Sequence, residues 1–578
     1  MSITRYELTV CLRTDSPLHS GGIDEAVDRT RPSKKCETVP RRFARDGADH
    51  PVLTGRSVKG AVRAACEKYF GETRDSHLWG GSLGKSAWAS ALTFHAVDLH
   101  NAEVFPGRGD GPGGASGLPT RMGIAIDRYW GAAGDTALFE HEYVPAGRPL
   151  TLTITAQAGS MPENRPGDPG APFGGVSECQ SVTEEDVERL FSIILGVLKS
   201  GRVSFGGSRN AGWGRVRPVM RPGSDKFWVL TGASLGTRDG LLNWLDNGCG
   251  KDMSARIKPI EFSEPDRVRI NIGWNSPTGI LVADPRLSRV ESARNKSDED
   301  EAPENNTKAT KEGGKTAREA EPGGERNDSR DEDDPDEFIP TRHLRSGPGE
   351  NDPIVLPGSS VRGALRSRAS RIARTILAAR RGSVDDWPNI GVHDQLAHDP
   401  DLVQRLFGST ERRGALTVLD TLAAFNGPAR LITHNAGDRW TGGVAGGTLY
   451  GEEVHDATWK NIVLELDLEV LFKDDNRRRA AWCLLGLVLA ELAAGTLPLG
   501  SRGTRGLGQV EVTSIKVEGG RSIGIGDQLF SAPSKGAGES VAEQILGHLR
   551  TVNEEITAGP GANGWSSYLM GDEEKNHD

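Results

Sequence analysis

Residues 55–66 read GRSVKGAVRAAC, and residues 358–369 read GSSVRGALRSRA. Gly55/Gly358, Ser57/Ser360, Val58/Val361, Gly60/Gly363, Ala61/Ala364 and Arg63/Arg366 are identical, and Lys59 against Arg362 keeps its charge. Each block follows a short apolar stretch, HPVLT or DPIVLP, and leads through a helical pattern into LWGGS from Leu78 or LFGST from Leu406. Working outward, DRYWGAAGDTALFEHE from Asp127 matches DRWTGGVAGGTLYGEE from Asp438 without a gap, with aromatics facing aromatics at Tyr129/Trp440 and Phe139/Tyr450. A third match pairs an apolar helix and a glycine loop: EEDVERLFSIILGVLKS before FGGSRNAGWGRVRP, and RRRAAWCLLGLVLAELAA before LGSRGTRGLGQVEV. Three matching blocks in one order predict two copies of one domain, because a repeat that recurs in register is a folding unit used twice.

These matches place the first copy at residues 1–222 and the second at 265–520, with 223–264 as a connector and 521–578 as an acidic tail. The 578 residues allow about two to four domains at roughly 150 residues each. Alternating runs such as YELTVCLRT, LTLTITAQ, RVRINIGW and IVLELDLEV read as strands, and the apolar helices lie between them. Strands and helices without regular alternation predict an α+β fold.

A formal net charge of −10 argues at first against nucleic acid. Its distribution answers the objection. Residues 291–337 hold 17 acidic against 8 basic residues, and no Val, Ile, Leu, Met or aromatic residue, so they have no apolar surface to offset the entropy of ordering. The expectation is a disordered acidic insertion in the second copy. Residues 521–578 add 9 acidic against 4 basic residues, and with both segments expected to be disordered the folded remainder is slightly basic. No run approaches the roughly 18 apolar residues of a membrane span, and the amino terminus lacks a signal-peptide pattern, so a cytoplasmic protein is expected. Six dispersed cysteines, with no CxxC, exclude a zinc ribbon and read as reduced thiols.

The repeated blocks carry chemistry that suits a polyanion. GRSVKGAVR sets a glycine turn and free amides at the start of a basic helix, where a phosphate could be received by the dipole and by Lys59 or Arg63; an ordinary helix start with solvated cations is the competing reading. The loops Ser208–Arg217 and Ser501–Val510 combine arginines with Gly-x-Gly, which admits close backbone approach, or alternatively forms a tight hairpin turn. The Asp-Arg-aromatic segments read as extended flaps with a ring available to stack on or wedge between bases, or as exposed hairpins capped by an Asp.

The ordered series PLHSGG, PVLTGRSVKGAVR, IDRYWGAAGDTALFEHEYVPAG, apolar helix, GGSRNAGWGRV resembles the backbone subunits of type III CRISPR effector complexes, in the RAMP superfamily. The second copy repeats it from WNSPTGILVADP to LGSRGTRGLGQV, so the whole resembles the fused double-domain backbone proteins of subtype III-D and its relatives. The resemblance implies two tandem ferredoxin-like, RNA-recognition-type domains with β-hairpin flaps, stacked along a CRISPR RNA. Partners would be CRISPR RNA, target RNA and the other type III subunits of an antiviral complex, with no membrane. It implies backbone contacts from Arg56, Lys59, Arg63, Ser360, Arg362 and Arg366, from Arg128 and Arg439 in the flaps, and from Arg209, Gly212, Gly214, Arg502, Arg505, Gly506 and Gly508 in the glycine loops.

Active members of that family cut target RNA with an acidic residue and a divalent metal such as Mg²⁺. The acid is usually an Asp two residues before a Pro, where this chain has Thr38 and Phe338. The neighbouring carboxylates Asp336, as metal ligand and catalyst, with Glu337 and Glu37, are therefore the candidates, with Asp28 and Asp46 behind them. The competing function is an inactive RNA-binding scaffold. A third, a histidine-dependent guide-processing ribonuclease, finds no evident pair among His77, His343 and His434.

Overall fold

The computed structural model describes residues 3–21, 41–70, 76–83, 86–99, 118–159, 182–248, 250–262, 266–284, 340–347, 349, 351–382, 387–392, 394–444, 450–533, 538–556 and 564–570. The first domain is built on β1 (Thr4–Thr14), in which Thr4, Tyr6, Leu8, Val10, Leu12 and Thr14 all point into the core at period two. After β1 come α1 (Gly55–Phe70), β2 (Leu92–Phe94), the hairpin β3 (Thr120–Asp127) and β4 (Ala132–Glu142), then β5 (Pro149–Ala158) and α2 (Glu184–Lys199). β6 (Val216–Pro218), β7 (Trp228–Ser234), α3 (Arg238–Asn247) and β8 (Lys251–Asp252) complete the domain. The antiparallel sheet runs β8-β7-β1-β5-β2, with β6 also on β1. Its central strands are thus ordered fourth, first, third, second, which is the ferredoxin-like βαββαβ arrangement.

The second domain repeats this order: β9 (Arg267–Asn275), α4 (Gly358–Arg381), α5 (Asp401–Phe407), β10 (Leu416–Val418), and the hairpin β11 (Ala429–His434) with β12 (Tyr450–His455). β13 (Ile462–Asp467), α6 (Asp475–Ala493), β14 (Glu511–Gly519), β15 (Gln528–Ser531) and α7 (Val541–Glu554) follow. Its sheet is β10-β13-β9-β14-β15. In both domains the flap hairpin is inserted between the second and third ferredoxin strands. Among the described residues no helix is long and apolar enough to cross a membrane.

The repeated glycine that opens each basic helix has a packing reason. A Cβ on Gly55 would fall 1.9 Å from the carbonyl of Phe94, and one on Gly358 would fall 2.3 Å from that of Val418. The helix start is pressed on the second ferredoxin strand, and only hydrogen fits.

Two boundaries differ from the sequence reading. The expected connector, 223–264, supplies β7, which pairs with β1 from Thr4 to Val10, and Ile257, Ile260 and Phe262 pack on the first core. It belongs to the first domain. The expected acidic tail, 521–578, supplies β15 and α7; Val541, Ile545, Leu549 and Val552 lie on one face of α7 and enter the second core. Ser540 and Glu543 form a capping box at its start. Net charge concealed this face, because Glu543 and Glu554 lie on the opposite side of this amphipathic helix and the other acidic residues of the segment lie outside it. The acidic insertion 291–337 lies outside the described residues.

Candidate nucleic-acid interface

Both flaps turn in the same way. Asp127 Oδ1 accepts the amides of Tyr129 and Trp130 at 2.9 and 3.1 Å. Asp438 Oδ1 accepts those of Trp440 and Thr441 at 2.7 and 3.0 Å, and these N–H groups hold its carboxyl below the usual range. Gly131 and Gly442 close the two turns at φ +67° and +73°. The Asp is therefore a cap, as the simpler sequence reading allowed.

The first flap reaches across to the second domain. Arg128 Nη1 donates to Asp399 Oδ2 at 2.7 Å and to Ser370 Oγ at 3.2 Å, and its main-chain N–H donates to Gln395 Oε1 at 3.0 Å. Asp399 has a fully buried side chain, and it also accepts Arg366 Nε and Nη2 at 2.9 and 2.6 Å and Ser370 Oγ at 2.5 Å. Two further ion pairs cross the same boundary. Arg121 Nη1 meets Asp420 Oδ2 at 2.6 Å, and Arg215 meets Glu465 in a two-pronged pair. Arg128, expected on RNA, thus joins the two domains, and Arg366, also expected there, pairs with the same buried carboxylate from within the second domain.

Between the domains lies a cleft of about 510 Å³. The glycine loop of the first domain (Ser208, Asn210, Trp213) forms one wall, and the start of α4 (Ser359, Arg362) with the loop Phe407–Arg413 forms the other. Arg121, Arg362, Arg366, Arg412 and Arg413 face it against one carboxylate, Glu411. Arg362 forms no ion pair with a described residue; burial, reinforced by neighbouring Arg366, pushes its guanidinium down to about 10. Its Nη2 donates to the Phe407 carbonyl, while its Nε and Asn210 Oδ1 have no hydrogen-bond partner among the described residues. Arg209, at the edge, is shifted down by burial and by Arg413. Partly desolvated cations that lack counter-ions favour an incoming anion over an empty site.

The anion is met by side chains more than by the helix start. The Gly358 amide is already taken by Asp420 Oδ1 at 2.8 Å, and that of Ser360 by the Pro357 carbonyl at 3.0 Å. In the glycine loops, backbone conformation pairs Gly206 with Gly500, Ser208 with Arg502, Gly212 with Gly506 and Gly214 with Gly508, since all eight have positive φ. That register is one residue away from aligning the serines. A Cβ on Gly214 or Gly508 would meet the chain's own carbonyls at 1.9 and 2.2 Å, so these two glycines serve the loop itself. Gly212 is covered by Leu419 and Val418 of the second domain, whereas its counterpart Gly506 faces open space.

The remaining expected contacts form two open half-sites. On α1, Arg56 is exposed, Lys59 is shifted down by burial and by Arg63, and Arg63 is held by Glu67 at 2.5 Å and by the Gly80 carbonyl at 3.0 Å. In the second glycine loop, Glu452 holds Arg502 Nε at 2.5 Å and Arg505 Nη1 at 3.4 Å, and His434 Nε2 stands 3.3 Å from its other oxygen. His434 thereby has a carboxylate neighbour that its position in the sequence did not disclose. Arg439 is exposed on the second flap.

Asp336, Glu337, Glu37 and Asp28 lie outside the described residues. Asp46 caps a turn, accepting the amides of Ala48 and His50, each at 2.9 Å. Among the described residues no group of three or more His, Cys, Asp or Glu side chains could hold a metal ion; Asp336, the expected Mg²⁺ ligand, is not among them. The chain does show where the two loops end: Arg41 bridges to His141 and Thr341 to Glu452, each at the base of a flap. Glu142 there accepts the Phe43 amide and Arg45 Nη2, both at 2.8 Å.

Sequence reasoning missed the receptor for the first flap. Trp387, Gln395 and Asp399 all lie in an insertion, signalled by 49 residues from Gly358 to Leu406 against 24 from Gly55 to Leu78. It also missed Arg121, Arg412 and Arg413, which become neighbours only across the domain boundary.

Two ferredoxin-like domains, each with a flap and a glycine loop, meeting at an arginine-lined cleft define a tandem RNA-binding protein. The chain belongs to the RAMP superfamily, whose family model matches residues 11–217 and 343–511. No curated protein matches it. Membership carries a CRISPR-associated, RNA-binding role, and RAMP proteins bind CRISPR RNA and other Cas subunits.

Proposed function

We propose that this chain is a CRISPR RNA-binding backbone subunit of a type III effector complex, with the guide's phosphates running through the interdomain cleft and on to the half-sites at α1 and at the second glycine loop. The observation that carries this is Arg362, partly desolvated beside Arg366 and without an ion-pair partner among the described residues. Each guanidinium that neutralises a phosphate of a single strand contributes about −0.7 to the slope of log K against log salt. Arg209, Arg362 and Arg413 together correspond to a slope of about −2. The test is fluorescence anisotropy with single-stranded RNA across a salt series. Arg362→Ala should weaken binding and flatten the slope by about 0.7, and an unchanged slope would remove the cleft from the RNA path.

Target cleavage is the second part of the proposal. Asp336, with Glu337 beside it, would act with Mg²⁺ on target RNA paired to the guide, and Glu37 would be its counterpart in the first domain. The inactive-scaffold reading is favoured by Thr38 and Phe338, which occupy the places where active relatives carry the acid. Cleavage of labelled target by the assembled complex, wild type against Asp336→Ala, separates the two; an unaltered ladder refutes the role of Asp336.

A further inference from the structure

The two copies differ as a set where the flap meets the glycine loop. In the second, Glu452 is fully buried, and its Oε1 accepts Arg502 Nε at 2.5 Å and Arg505 Nη1 at 3.4 Å. His434 Nε2 stands 3.3 Å from Oε2, and neither of these two buried atoms forms a hydrogen bond with a described residue. The Tyr450 ring stacks on His434 at 5.1 Å and lies 5.2 Å from the Arg505 guanidinium. The gapless flap alignment and the positive-φ register of the loops put Gly123, His141, Ser208 and Ala211 of the first copy in the places of His434, Glu452, Arg502 and Arg505. The buried acid and its three partners are therefore replaced together, as members of one charge-balanced unit.

The second glycine loop cannot grip a phosphate and keep this arrangement. A phosphate that takes Arg502 and Arg505 draws them off Glu452, and a buried carboxylate left without a cation is strongly disfavoured. His434 is placed to take over, because it already stands beside Oε2 and imidazole is the side chain that gains a proton between pH 5 and 8. On its face of the hairpin the titratable and charged neighbours are Arg430, Tyr450 and Glu452, joined by Arg502 and Arg505 from the glycine loop. Arg430 is held by Asp456 at 2.9 Å, and the packing beneath is apolar, from Leu281, Val454 and Leu507. Among these neighbours Glu452 has no other cation to turn to.

Given the RNA path proposed above, we infer that the second glycine loop binds a phosphate with uptake of one proton, His434 replacing Arg502 and Arg505 as the partner of Glu452. Without RNA, two guanidinium groups balance the carboxylate and the imidazole stays neutral. With RNA, the unbalanced carboxylate favours the imidazolium, so His434 holds its proton to higher pH in the bound state. Binding at this site therefore strengthens as pH falls, by at most about tenfold per pH unit. The interdomain cleft behaves differently. Burial, reinforced by His19 and Arg41, pushes His141 down to about 4, so the cleft has no equivalent proton to take up near neutrality.

The test binds single-stranded RNA with hydroxyl ends to the full chain at constant salt between about pH 6 and 8, followed by fluorescence anisotropy. Calorimetry in two buffers of different ionisation enthalpy reads the protons taken up by the unaltered chain. The expected result is proton uptake, with affinity rising as pH falls. Arg362→Ala should keep this pH dependence, and His434→Gln should remove it. Glu452→Gln should also remove it, and should tighten binding at about pH 8 because both arginines are then free; a merely structural Glu452 would give weaker binding instead. Binding that is independent of pH, a pH dependence that survives His434→Gln or is lost in Arg362→Ala, or weaker binding by Glu452→Gln would each overturn the inference and leave the RNA path standing. No binding at any pH would overturn both.

Discussion

The buried carboxylate Asp399 makes the first flap a latch, and the strength of that latch can be predicted. Arg128→Ala removes one charge-assisted hydrogen bond to Asp399, while Arg366 still holds that carboxylate through two bonds. Asp399 therefore remains compensated, and the loss is that of hydrogen bonds to a charged group, about 1.5–3 kcal/mol. At about 1.4 kcal/mol per factor of ten, amides near the tip of the first flap should exchange roughly ten- to a hundredfold faster in hydrogen–deuterium exchange. Asp399→Ala should act more strongly, by about 3–5 kcal/mol, because two buried guanidinium groups lose their common partner. It should also loosen α4 through Arg366. The second flap supplies an internal control, being undocked in the RNA-free chain. Equal protection of the two flaps in the wild type, or unchanged exchange in Arg128→Ala, would refute the latch.

Three further outcomes follow from particular residues. His343 is buried, and desolvation pushes its imidazole down to about 4, so the folded state disfavours its protonated form. The unfolded chain binds that proton at about 6.5, so the contribution to stability is present above that pH and is lost as pH falls towards 4, by about 3 kcal/mol. His343→Phe, the residue found at Phe43 in the first copy, should flatten this part of the pH–stability profile from thermal melts. Gly358→Ala should destabilise by about 1–3 kcal/mol through its clash with Val418, whereas Gly363→Ala, at an exposed helical position with open space around its Cα, should stabilise by about 1 kcal/mol; denaturant midpoints check both. Removal of residues after Ser531 should abolish cooperative unfolding of the second domain, since Val541, Ile545, Leu549 and Val552 each contribute about 1.5–3 kcal/mol of burial.

The half-sites at the two ends of the chain share one origin. The cleft takes its glycine loop from the first copy and its basic helix from the second, so each copy supplies half of two different sites. A tandem of two therefore completes one site internally and presents α1 at one end and the second glycine loop at the other.

Read alone, the sequence determined that one domain occurs twice, where the strands and apolar helices shared by the matching blocks fall, and which loops carry glycines and cations. These are legible because each depends on local periodicity or on identity between the copies. Family membership was legible for the same reason. Only the tertiary structure decided what each cation does. Arg128, Arg362 and Arg366 look alike in sequence, yet one latches a domain, one faces the cleft without a counter-ion, and one pairs with a buried Asp. The fate of an arginine depends on which carboxylate lies within a few ångströms, and for Arg128 that carboxylate is 271 residues away. The tail and the connector were misread for a related reason: net charge averages over a helix or strand, whereas folding depends on the single face that is apolar.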